Sequence, residues 1–190
     1  MSVTTRHLSA IVLLAGCGGA SAGQADPQPC APVETPASDL VASGLAGRYT
    51  VRLIATSGAK QGASADGHLA LMEQESAYRA VERADGSVDT TYSLPLYGTA
   101  EVDFASVGAT TPGDAGSSDP LSPGVLVIQR PGGVMLRLGS EANRRGVRRF
   151  DGGYTVLQVQ QITDQGFAGT WKSAVGLEES GGHFCAVKAT

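Results

Sequence analysis

The chain reads as all-β, an antiparallel meander closed into a single barrel of eight to ten short strands. Three observations predict this. The 190 residues include 26 Gly and 9 Pro with only 17% charged residues, a composition poor in helix formers and rich in turn formers. Apolar and polar residues alternate at a period of two in successive stretches. Short turns of Gly and Asp chemistry separate these stretches, so sequence neighbours become antiparallel neighbours in space. Closing such a sheet removes its exposed edges.

The elements follow in order. Residues 18–36 are Gly, Ala, Ser, Pro and acidic residues without periodicity and read as a flexible tether. Residues 38–44 suit one helical turn, with Ser38 and Asp39 as N-cap types and Gly44 as terminator. The tether is taken to run over 18–45 and the barrel over 46–190. In GRYTVRLIAT, from Gly47, the residues Tyr49, Val51, Leu53 and Ala55 share one face; Thr50, Arg52 and Thr56 share the other, and Ile54 breaks the pattern. Over 92–104 the alternation Tyr92, Leu94, Leu96, Gly98, Ala100, Val102, Phe104 is the clearest in the chain. Pro95 interrupts it, because proline cannot donate to a ladder; a break or a bulge is expected there. Further strands are expected at 67–74, 77–83, 124–130, 134–138, 154–163, 166–174 and 183–188. The turns ADGS from Ala84, PGG from Pro131 and TDQG from Thr163 join neighbours. Two long loops remain. The one from Ser106 to Gly124 has no hydrophobic pattern and is expected to be mobile; the one from Gly139 gathers Arg144, Arg145, Arg148 and Arg149 on an otherwise acidic chain.

At the N-terminus, Arg6 and His7 precede an apolar run over 8–14 that is too short to span a bilayer. The following Leu14-Ala15-Gly16-Cys17 resembles the lipobox of bacterial lipoproteins. That resemblance implies cleavage before Cys17, a diacylglyceryl thioether on its sulfur and an amide-linked third chain of the palmitate type. Two or three acyl chains hold a protein on a membrane lastingly, where one holds only marginally. Gly18 stands where the family's inner-membrane retention signal has aspartate, which implies an outer membrane if the host has one. The alternative is a plain secretory signal cleaved after Ala20 or Ala25, with Cys17 discarded.

The lipid reading makes the odd count of 3 Cys even. With Cys17 capped, Cys30 and Cys185 remain in an oxidising compartment and are expected to pair. A closed barrel brings the final strand beside the first, which makes a bridge between the termini geometrically reasonable; two free thiols are the alternative.

Gly47-Arg48-Tyr49 and Gly169-Thr170-Trp171 resemble the Gly-x-Trp and Gly-Thr-Trp tripeptides of lipocalins and avidin-type barrels. The resemblance implies a lipocalin-like barrel with Tyr49 and Trp171 as barrel-end aromatics, one end plugged against a basic residue and the other open to an apolar ligand. The bland reading of the same residues is a bend at each strand start, with Trp171 as core anchor.

Little else points to chemistry. His68 and His183 each follow a turn, where an exposed strand start is the ordinary expectation, and neither has metal-ligand spacing. No GxSxG occurs. Glu101 and Asp103 share a strand face opposite Val102 and Phe104, expected to be solvent. Removing residues 1–17 deletes Arg6 and no acid, so the formal charge of −4 moves one unit further negative and implies no nucleic-acid partner. The four arginines suit an anionic headgroup, phosphate or acidic glycan; a solvated turn partly balanced by Glu141 and Asp151 is the alternative. The expectation is a lipid-anchored envelope protein, not an enzyme, with no metal or cofactor. Its leading role is to bind a small apolar or amphipathic molecule; its alternative is a structural or interaction role with a barrel filled by its own side chains. The oligomeric state stays open.

Overall fold

Eight strands close into one antiparallel barrel in strict sequence order, the last pairing with the first. They are β1 (Gly47–Ser57), β2 (Ser64–Glu82), β3 (Val88–Val102), β4 (Val125–Arg130), β5 (Gly133–Leu138), β6 (Tyr154–Thr163), β7 (Gly166–Val175) and β8 (Glu178–Lys188). The computed structural model describes residues 30–82, 88–145 and 152–190, without the side chains of 76–82 and 88–92.

The period-two pattern does what it predicts in β1. Tyr49, Val51, Leu53 and Ala55 all point inward and are at most 2% exposed. Across the ladders Val51 faces Gly67 of β2 and Ala186 of β8. Two expectations change in detail. The stretches 67–74 and 77–83 belong to one long strand, β2, whose register with β3 shifts between Glu73 and Ala77. A bulge there absorbs the break in alternation without ending the strand. At Pro95 the ladder with β4 shifts between Ser93 and Leu96. Leu94 therefore leaves the inward set and joins Leu126 and Ile128 in a second apolar cluster on the outer wall, flanked by Tyr97 and Met135.

Close strand contacts depend on glycine. A Cβ at Gly98 would lie 1.8 Å from the Ala70 carbonyl oxygen, and one at Gly182 1.8 Å from that of Ile54. A small barrel needs such points to coil its strands tightly.

Both ends are covered. At the end where β1 starts, a 3-10 helix (Ala42–Leu45) buries Ala42 and Leu45 against the core. It lies C-terminal to most of the turn expected over 38–44. At the other end a second 3-10 helix (Phe104–Val107) buries Phe104 and Val107, and Ala109 and Ala115 follow it into the core. The loop expected to be mobile is thus tied down: Ala100 donates to the Ala115 carbonyl, Gly124 to that of Ser117 and Thr110 to the Ser173 hydroxyl. Its small apolar residues are too sparse to show a period, yet they fill the barrel mouth.

Candidate functional site

The interior, the obvious place for a ligand, is lined by bulky side chains from every strand. Trp171 from β7 and Tyr49 from β1 are each 1% exposed; Phe184, Leu96, Val125, Val127, Leu136 and Leu138 are fully buried. The Trp171 indole N–H donates to the Ile54 carbonyl at 3.2 Å. Tyr49 packs edge-on against Phe167 with ring centroids 5.0 Å apart, and Phe167 packs in the same way on Phe184 at 5.8 Å. Such T-shaped pairs set the positive ring edge against the negative face.

Tyr49 lies near the start of β1, and its polar partner among the described residues is not a basic residue. Its hydroxyl donates to the Leu45 carbonyl at 3.1 Å. Burial pushes the phenol above its ordinary pKa, which keeps it a neutral donor. Trp171 sits deeper and acts as a core anchor.

The chain preceding β1 forms a strap over the wall and end. Cys30 and Cys185 form a disulfide with Cα atoms 5.6 Å apart, pinning the strap to β8. Ala37 then donates to the Gln160 carbonyl at 2.8 Å. Gln129 finishes the closure: its carbonyl accepts from the Ala42 amide at 2.8 Å while its amide donates to the Leu40 carbonyl at 3.0 Å. Nothing in the sequence marked Gln129 for this task. The only signal was Leu40 and Leu45, apolar residues standing in an otherwise polar segment.

His183 overturns an expectation. It lies within β8, buried under the strap, with Nε2 3.1 Å from the Cys30 carbonyl oxygen; His68 is exposed as expected. Strand β8 begins earlier than residue 183, because the glycines at 181 and 182 lie inside the ladder and do not form a turn. Glu101 and Asp103 are exposed, matching their assignment to the solvent face.

The arginine cluster is placed only in part. Arg144 and Arg145 are exposed, just after a helical turn (Ser140–Asn143), and the Arg145 amide donates to the Leu121 carbonyl. Arg148 and Arg149 lie outside the described residues, as do Asp151 and Cys17, the residue expected to carry lipid. On the outer wall Arg52 grips Asp66 through two hydrogen bonds of 2.6 and 2.9 Å. The hydrogen bond from Arg52 holds the Asp66 carboxyl below its usual range. Among the described residues no helix is long and apolar enough to cross a membrane, and no group of three or more His, Cys, Asp or Glu is arranged to hold a metal.

No protein-family model matches the chain, and no curated protein and no solved structure is significantly similar to it.

Proposed function

We propose that the chain is a non-catalytic envelope lipoprotein, anchored through Cys17, whose barrel is filled by its own side chains and works through its outer surface as an interaction module. One observation carries the second half of this reading. A side chain bordering a ligand-sized void keeps accessible surface on that side, yet Leu96, Val125, Val127, Val134, Leu136, Leu138 and Phe184 keep 0%. Both mouths are covered as well, by Leu45 at one end and by Val107 at the other. A carrier for an apolar molecule would have to expel part of this core on loading, at a cost of several kcal/mol for an aromatic side chain.

The anchor half rests on Leu14-Ala15-Gly16-Cys17 and on the pairing of the other two cysteines, which suits an oxidising compartment. Gly18 favours an outer membrane where the host has one. With the strap pinned at Cys30, residues 18–29 become the leash, at most about 40 Å when extended, and the barrel rides close to the lipid surface. Cell fractionation tests the anchor. The Cys17→Ser protein should leave the detergent-requiring membrane fraction and collect as soluble or unprocessed chain; unchanged membrane association refutes it.

A further inference from the structure

We infer that the outer wall formed by β6, β7 and β8 carries a saccharide-binding hollow, walled by Tyr154, Lys172 and Glu179. This deepens the reading of the barrel as a surface-binding module and rests on it.

The register builds the hollow. Tyr154, Ala174 and Glu179 face one another across β6, β7 and β8, and in the next row Lys172 faces Gly181, which faces Ser57 of β1. Gly181 and Gly182 of β8 line the hollow without side chains. Tyr154 and Glu179 stand at its rims two strand spacings apart, roughly 9.5 Å. The resulting depression has a volume of about 440 Å³.

Its walls hold unused chemistry. Tyr154 stands on the outward face of β6 and is 40% exposed. Among the described residues, the side chains of Tyr154, Thr170, Lys172 and Glu179 make no hydrogen bond or ion pair. Lys172 and Glu179 are diagonal neighbours of opposite charge, a placement that ordinarily invites pairing. An exposed aromatic face, an ammonium and a carboxylate around a shallow floor match one pyranose ring. Its apolar C–H face stacks on Tyr154, and its hydroxyls bond to Glu179 through charge-assisted hydrogen bonds. Lys172 favours a sugar bearing a carboxylate or phosphate. In an envelope such sugars come from cell-wall glycan strands or from lipopolysaccharide core, both of which present them to a surface hollow.

Isothermal titration of the full mature protein in detergent tests this with three probes: peptide-free cell-wall glycan fragments containing muramic acid, deacylated lipopolysaccharide core, and neutral chitotetraose. Saturable binding of at least one acidic probe, tighter than chitotetraose, is expected, and the probe that binds identifies the source. Tyr154→Ala and Lys172→Gln should each weaken it roughly tenfold, and Glu179→Gln should weaken it measurably. All three side chains are exposed or at the rim, so the variants should melt with the wild type; if one does not, the other two still decide. The inference is overturned if no probe binds, if chitotetraose binds as well as the acidic probes, or if folded variants bind like wild type. A failed titration leaves the filled barrel and its anchor standing, whereas a ligand found inside the barrel removes that reading without touching this wall.

Discussion

The Tyr49 hydroxyl donates to the carbonyl oxygen of Leu45, four residues earlier, and so fastens the covering helix to the strand that it precedes. This bond joins the barrel's first inward side chain to the segment that closes its mouth. Tyr49→Phe keeps the ring packing on Phe167 but strands a buried carbonyl, and should destabilise the protein by about 1–3 kcal/mol. Urea titration reads this as a lower midpoint at unchanged slope. A midpoint equal to wild type would mean that the bond contributes nothing.

The contact between Gly182 and Ile54 makes a sharper prediction. A Cβ at Gly182 would lie 1.8 Å from a backbone oxygen, whereas one at Gly44 would meet nothing within 4 Å. Gly182→Ala should therefore cost upwards of about 2 kcal/mol or prevent closure of β1 on β8, while Gly44→Ala stays near neutral. Thermal melts of the two variants side by side decide it; equal melting would remove the close-packing argument.

The disulfide spans 155 residues. The chain-entropy model gives roughly 5 kcal/mol for a loop of this length, an upper figure. The Cys30→Ser, Cys185→Ser double variant should be less stable than the oxidised protein and insensitive to reductant. Thiol labelling of the mature protein should find no reactive cysteine before reduction and two after it.

Arg52 and Asp66 predict a pH effect of known sign. The hydrogen bond from Arg52 lowers the Asp66 pKa in the folded state, so the pair's contribution is fully present above the ordinary carboxylate range and is lost as pH falls through the lowered value. Both side chains are well exposed, 40% and 55%, so the effect on stability is small. Carbon-detected titration should place the Asp66 midpoint below the ordinary range of an exposed aspartate. Arg52→Gln should return it to the common range, and no difference between the two proteins would contradict the pairing.

The parts of this fold that repeat at period two were legible in the sequence, and the parts that close it were not. Tyr49, Val51, Leu53 and Ala55 declare their face by alternation, and the Pro131-Gly132 and Asp164-Gln165 turns fix the order of strands. Run 125–128, Val-Leu-Val-Ile, is apolar on both faces, and no periodicity could assign Leu126 and Ile128 to the outer wall. Pro95 announced an irregularity but not that Leu94 would turn outward. The coverings at the two ends depend on single contacts far apart in sequence, Gln129 with Leu40 and Thr110 with Ser173, which local patterns do not encode. Whether the barrel was filled was undecided for the same reason. Inward Gly98 and Ala100 suggest room, whereas the fully buried Leu96, Val125, Leu136 and Phe184 come from four different strands. The pairing of Cys30 with Cys185 was reachable because it followed from counting thiols and from the adjacency of first and last strands.

Native mass spectrometry of the protein extracted from its own membranes in mild detergent distinguishes a barrel filled by its own side chains from one that carries a ligand. The expected mass is that of the oxidised chain from Cys17 with its covalent acyl groups, with no further adduct after the detergent is stripped. A stoichiometric apolar molecule that stays bound until the barrel unfolds would contradict it.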